Sequence, residues 1–191
     1  YSKVRKKLGG KIKFFISGGA PLPRNIAEFF SGIGITILEG YGLTETSPVV
    51  ALNSKTAQRI GSVGKPLEAT QVRISENGEI QIRGPHVTAG YYRDADSTRK
   101  AFDDGWLKTG DLGHLDDDGY LYITGRHNEM IVTTGGQNIW PGLVEMELVK
   151  HPTIDQAVVL GDGRDYLVAL IHPDRVQLAQ RLDLTGDPSV W

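Results

Sequence analysis

Two short apolar runs, residues 13–16 and 35–38, bracket a stretch that carries Ile26, Phe29 and Phe30 at helical spacing and stops at Gly32 and Gly34. The first run ends at Ser17-Gly18-Gly19-Ala20-Pro21, a breaker that releases the chain into the helix. A strand, a helix and a strand in so short a span close as a crossover unit with parallel strands. Both strands then end on the same edge of the sheet, where open parallel sheets bind their ligands. The loop at residues 17–20 and the loop at residues 40–46 are therefore expected to lie side by side.

From Gly61 onward the texture is β-rich. Gln71-Val72-Arg73-Ile74 and Glu79-Ile80-Gln81-Ile82 alternate with period two around Asn77-Gly78, a hairpin signal. Residues 96–102 predict a short helix with Asp94 or Asp96 as its cap. Residues 112–115 and 120–123 flank Asp116-Asp117-Asp118-Gly119, whose acidic run reads as turn chemistry, since no EF-hand spacing follows it. After Arg126 a smaller α+β unit is expected: a strand at 130–132, a glycine turn at Gly135-Gly136, a helix from Pro141 to about Lys150, and strands at 157–160 and 166–171. The fold class is thus α/β followed by α+β. A parallel-sheet unit with a β-rich subdomain spans residues 1–125, a second unit spans 126–191, and the boundary falls within 124–128.

Composition narrows the function classes. The chain has 191 residues, 39% hydrophobic and 23% charged, enough to bury a core. A formal charge of -2 gives no global attraction to nucleic acid or to anionic lipid. Lys3, Arg5, Lys6, Lys7, Lys11 and Lys13 make the first segment basic, which reads as a solvated helix face, with peripheral membrane contact as the second reading. With no cysteine there is no disulfide framework, thiolate metal site or cysteine nucleophile, in keeping with a cytoplasmic location. No apolar run is long enough to span a bilayer. The chain opens on Tyr1 in what reads as mid-helix, so a piece of a longer protein is expected.

The polar groups beside the glycines have the chemistry to hold a nucleotide. Tyr41, within Glu39-Gly40-Tyr41-Gly42-Leu43-Thr44-Glu45-Thr46, offers an aromatic face to a purine, although alone it reads first as a packed turn tyrosine. Thr44 can donate to a phosphate oxygen, and Glu45 has hard carboxylate oxygens suited to phosphate-bound Mg²⁺; singly, each reads first as a turn or cap residue. Asp111, in Thr109-Gly110-Asp111 between glycine-bearing turns, can accept two hydrogen bonds from a ribose diol. Arg126 can hold a phosphate oxygen or a ribose hydroxyl, although an isolated Gly-Arg pair reads first as a surface salt bridge.

In order along the chain, SGGAPL (17–22), EGYGLTET (39–46), GSVGKPL (61–67), GEIQIRGPHVTAGYY (78–92), GWLKTGDLG (105–113), GYLYITGRHNEMIVTTGGQNIWP (119–141) and VVLGDGRDYLVALIHPD (158–174) resemble the adenylate-forming (AMP-binding) superfamily. The resemblance covers nearly the whole chain and is strongest to the acyl-CoA synthetases, in particular bacterial long-chain fatty acid CoA ligases. It implies the C-terminal part of the large N-terminal domain of that superfamily, followed by part of its small C-terminal domain. It implies that Gly18, Gly19 and Ala20 contact adenine and that Tyr41 stacks on it. By the same resemblance Thr44 meets the α-phosphate, Glu45 helps to bind Mg²⁺, and these two carry the catalytic contribution. Asp111 would hold the ribose hydroxyls and Arg126 would contact the ribose. Asn128 stands at the hinge position, where lysine or aspartate is commoner, and Gly135 and Gly136 match the turn lining the thiol tunnel.

The implied chemistry uses ATP with Mg²⁺ to convert a fatty acid into an acyl adenylate, which CoA then captures as a thioester. The superfamily's glycine-, serine- and threonine-rich phosphate loop and its catalytic lysine match nothing in this sequence. The isolated chain is therefore expected to be inactive in adenylation, and oligomeric state and chain-length preference are not legible. The rival expectations are another adenylate-forming enzyme, such as a peptide synthetase adenylation domain or a luciferase-like oxygenase, and a non-catalytic nucleotide-binding module.

Overall fold

The computed structural model describes residues 2–183, and the chain divides between Ile123 and Thr124 into two compact units. The first opens with α1 (Ser2–Lys7), followed by β1 (Phe14–Ser17), α2 (Arg24–Gly32) and β2 (Thr36–Gly42). β1 and β2 are parallel, with Phe14 opposite Thr36 and Ser17 opposite Glu39, as the crossover demands. The helix buries Ala27, and Ile33 and Ile35 are buried where the chain returns to the sheet.

β2 runs further than the sequence suggests. Gly40, Tyr41 and Gly42 belong to the strand instead of a loop, because β3 (Val49–Leu52) folds back and pairs antiparallel with them. β4 (Lys65–Pro66) adds to β3, so the four-stranded sheet is mixed beyond its parallel pair. The turn from β2 to β3 is a 3₁₀ helix, Thr44–Thr46. Gly42 is obligatory there, since a Cβ on it would lie 1.7 Å from the Pro48 carbonyl oxygen.

The β-rich part is a five-stranded sheet of β5 (Gln71–Ile74), β6 (Glu79–Arg83), β7 (Phe102–Asp103), β8 (Trp106–Leu115) and β9 (Leu121–Arg126). The Asn77-Gly78 hairpin forms as expected, with Val72 opposite Ile82. α3 (Ala95–Ala101) starts at Asp94, whose side chain accepts the Ser97 amide. The turn between β8 and β9 is built by Asp116, whose carboxylate accepts the amides of Asp118 and Tyr120. Arg59 reaches in from the loop before β4, pairs with Asp116 and Asp118, and lies over the Tyr120 ring. Val50, Ala51, Ile80, Ile82 and Leu121 are fully buried and form one core between the two sheets of this unit. Each large aliphatic side chain among them contributes about 1.5–3 kcal/mol by leaving water.

In the second unit β10 (Ile131–Val132) pairs with β11 (Asn138–Ile139), and α4 (Pro141–Leu148) packs on β12 (Ile154–Leu160). β12 and β13 (Val168–Pro173) form an antiparallel hairpin, with Val158 opposite Leu170, and α5 (Arg175–Arg181) follows. Pro141 occupies the first helical turn of α4, where its missing N–H has no cost. Among the described residues no helix is long and apolar enough to cross a membrane.

Candidate nucleotide site

The parallel pairing of β1 and β2 brings their C-terminal ends together. Ser17 sits opposite Glu39, and the following loop touches β2 so closely that a Cβ on Gly18 would lie 3.3 Å from the Gly40 carbonyl oxygen. Gly18, Gly19 and Ala20 are exposed beside this contact. Tyr41, next along β2, is half-buried, and its hydroxyl donates to Asp111 Oδ2 at 2.6 Å.

Asp111 reaches Tyr41 because β8 bulges. Lys108 pairs with Gln81 and Leu112 with Glu79, so three residues of β8, Thr109 to Asp111, stand opposite the single residue Ile80. Gly110 absorbs the excess at φ 73°, a left-handed conformation that a side chain resists. Thr109 fastens the bulge: its hydroxyl donates to the Ile80 carbonyl at 2.7 Å and accepts the Asp111 amide at 3.0 Å. Asp111 thus lies within a strand, not between two turns, and is only 5% exposed. A carboxylate has about four acceptor sites, so one phenol and a ribose diol can share it.

The two threonines that follow β2 differ in kind. Thr46 is fully buried, and its hydroxyl accepts the Leu43 amide and donates to the Pro48 carbonyl at 2.6 Å, closing the turn. Thr44 is exposed, and its hydroxyl has no partner among the described residues. Between them, Glu45 is half-buried. Its carbonyl accepts the Thr88 amide at 2.8 Å, and its Oε1 accepts the Tyr91 hydroxyl at 2.9 Å. That hydrogen bond, then burial, pushes the Tyr91 phenol above its ordinary range, so it remains a donor at neutral pH. No group of three or more acidic or histidine side chains that could hold a metal occurs among the described residues. A single carboxylate such as Glu45 has the chemistry to meet a cation that brings most of its own oxygen ligands, as phosphate-bound Mg²⁺ does.

Three further residues shape this edge without a signal in the sequence strong enough to single them out. Asn53 is buried, donates to the Ser62 carbonyl at 2.6 Å and accepts the Arg59 amide at 2.9 Å, pinning the 59–62 loop to the end of β3. Glu39 accepts the Gly61 amide, and burial raises its carboxyl pKa against the opposing pull of the Gly61 and Leu22 amides. Tyr91 is the third; its place in a tyrosine pair gave no hint that it reaches Glu45.

The remaining sequence-predicted residues belong to the second unit. Arg126 ends β9, and exposed Asn128 lies in the 3₁₀ turn His127–Glu129. Gly135 and Gly136 form the exposed turn between β10 and β11, closed by the Gly136 amide on the Thr133 carbonyl at 2.9 Å. So the structure gathers the 18–20 loop, Tyr41 and Asp111, with Thr44 and Glu45 just beyond, while the other four follow the division of the chain at Thr124.

Comparison with known proteins gives a consistent picture. Residues 2–92 match the AMP-binding enzyme family, and residues 128–184 match the AMP-binding enzyme C-terminal domain. The long-chain-fatty-acid–CoA ligase FadD15 of Mycobacterium bovis is 49% identical over 174 residues, which are 91% of this chain and 29% of that protein. Among solved structures, the O-succinylbenzoate coenzyme A synthetase MenE of Bacillus subtilis in complex with AMP aligns with a TM-score of 0.76 at 30% identity, over 90% of this chain and 40% of that one. The same enzyme with ATP and a magnesium ion aligns with a TM-score of 0.75 at 31% identity, over the same shares of the two chains. The chain spans less than a third of the length of the fatty-acid ligase it matches.

Proposed function

This chain belongs to the AMP-binding enzyme family, and on that footing we propose that the protein is an ATP-dependent ligase joining a long-chain fatty acid to coenzyme A through an acyl adenylate. The observation that carries this reading is the Tyr41–Asp111 hydrogen bond of 2.6 Å at the sheet edge that also presents the Gly18 loop. An aromatic face, an anionic acceptor and exposed backbone together match the base and sugar of AMP. In this reading the Gly18-Gly19-Ala20 backbone borders the adenine, Tyr41 stacks on it, Asp111 accepts the ribose hydroxyls, and Arg126 is a ribose contact.

The substrate carboxylate attacks the α-phosphorus of ATP, the bond to the β-phosphate oxygen breaks, and pyrophosphate leaves. A CoA thiol then attacks the acyl carbonyl, loses its proton and expels AMP. Thr44 donates to the α-phosphate through its exposed hydroxyl, and Glu45 holds the cation. Mg²⁺ would supply positive charge against the charge that develops at phosphorus. Gly135 and Gly136 border the path of the thiol, and Asn128 serves as the pivot that brings them there. On this reading the protein works in lipid metabolism.

Thioester formation by the full-length protein tests the reading, scored against ATP, Mg²⁺, CoA and a panel of acids graded by chain length. Turnover that rises with chain length and needs all three co-substrates supports it; ATP binding without any thioester or adenylate product would leave only a nucleotide-binding module. A second substrate class has specific support in the likeness to the O-succinylbenzoate synthetase. The panel therefore includes aromatic acids, and preference for them would replace the fatty acid.

A further inference from the structure

Glu45 is held from both ends by one short strap. The Thr88 amide fixes its backbone carbonyl, and the Tyr91 hydroxyl fixes its side chain at Oε1. The strap is itself moored to α3: the Tyr91 amide donates to Thr98 Oγ1 at 2.9 Å, and that hydroxyl donates to the Asp94 carbonyl at 2.7 Å. Asp94 is also the cap of α3, accepting the Ser97 amide at 2.9 Å. A chain of hydrogen bonds thus runs from a helix terminus to a single carboxylate oxygen.

Fold stability gives little reason for such a device. Tyr91 is 43% exposed, so water competes for its hydroxyl, and a phenol–carboxylate bond at the surface adds little to folding. What the bond does change is the freedom of Glu45. A glutamate side chain in a surface turn samples several rotamers, and the phenol selects one of them. It occupies Oε1, while Oε2 has no partner among the described residues.

We propose that Tyr91 is a positioning residue for the cation, whose phenol holds one oxygen of Glu45 and so leaves the other preorganised to receive Mg²⁺ carried by the phosphates of ATP. The proposal rests on the ligase reading given above and concerns how Glu45 does its part. Hydrogen-bonded outer partners orient metal ligands in this way, and their loss weakens the metal more than the fold.

The test measures binding rather than turnover. A non-hydrolysable ATP analogue is titrated calorimetrically into the full-length protein over a series of Mg²⁺ concentrations and again in EDTA. Four forms are compared: wild type, Tyr91→Phe, Glu45→Gln and the double variant. Tyr91→Phe keeps the ring and removes only the donor, and its melting temperature reports that the fold is retained. The expected result is a rise of about tenfold in the Mg²⁺ concentration that half-saturates the effect, with analogue affinity in EDTA unchanged. In the Glu45→Gln background the same substitution adds nothing. An unchanged Mg²⁺ dependence, an equal loss of affinity in EDTA, or an additive effect with Glu45→Gln would each overturn the proposal while leaving the ligase reading intact. Wild-type protein that binds the analogue with no Mg²⁺ dependence would overturn both.

Discussion

On the proposed function, Asp111 is the side chain of the first unit on which nucleotide binding leans most, since its buried carboxylate already accepts the Tyr41 hydroxyl. If it holds the ribose as proposed, replacing it with alanine removes a charged acceptor from two ribose hydroxyls, each interaction worth roughly 1.5–3 kcal/mol, along with its hydrogen bond to Tyr41. The expected outcome for Asp111→Ala in the full-length protein is a loss of ATP affinity of at least about a hundredfold. The decisive readout is the ratio of affinities for ATP and 2′,3′-dideoxy-ATP. Direct contact with the diol requires that this preference vanish in Asp111→Ala, whereas a merely structural role would lower both affinities and preserve the ratio. Tyr41→Phe keeps the stacking face and loses one hydrogen bond, so its effect is expected to be about tenfold or less.

The aim of Asp111 is a property of β8, not of the residue itself. A Cβ added at Gly110 meets nothing within 4 Å, so Gly110→Ala introduces no clash and its penalty is backbone strain alone. At φ 73° that strain is about 1–2 kcal/mol, and Gly110→Asn is expected to recover much of it, since asparagine tolerates the left-handed region. Urea denaturation of the three proteins checks the order glycine, asparagine, alanine; equal stabilities would mean that the bulge does not hold this conformation. The bulge also shows where legibility from sequence stops. Asn77-Gly78 announces its hairpin, Asp116 its turn, and residues 13–38 their parallel crossover, because each signal is local and each structure is closed by neighbours. The 40–42 segment looks like a loop for the same reason: two glycines suggest one. Only pairing with Val49–Leu52 makes it a strand, and that run's apolar character does not name its partner. Likewise Tyr41 and Asp111 are separated by 70 positions, and nothing in either segment specifies a hydrogen bond between them. The aromatic face of Tyr41 and the carboxylate of Asp111 are legible as chemistry, and the 18–20 loop as a strand-end breaker beside them. The bulge that joins two of them is not, nor are the buried Asn53 or the Tyr91 strap.

For the molecule as a whole, the β8–β9 turn is tied to a distant loop through charge, and this makes folding stability depend on acid. Asp116 works against burial, which disfavours its charged form, but the Tyr120 amide and Arg59 outweigh it and hold its carboxyl below the ordinary 3.8. A carboxylate whose pKa is lower folded than unfolded contributes stability in full above the unfolded value and loses it as pH falls through the folded one. Asp116→Asn keeps the side-chain carbonyl that accepts the Asp118 and Tyr120 amides but removes the charge that Arg59 meets. Its melting temperature is therefore expected to lie below that of the wild type at neutral pH, and the gap is expected to close as pH falls below about 4. Glu39 supplies the opposite sign within the same unit. Burial raises its pKa, so the protonated form favours folding, and that contribution is lost as pH rises through the folded value. Glu39→Gln is accordingly expected to gain on the wild type as pH rises from acid to neutral, while Asp116→Asn falls behind it. Melting curves from pH 3 to 7 on the three proteins separate the effects. A constant gap for Asp116→Asn across that range would show that the Arg59 ion pair does not bear on folding and that the turn is held by its backbone hydrogen bonds alone.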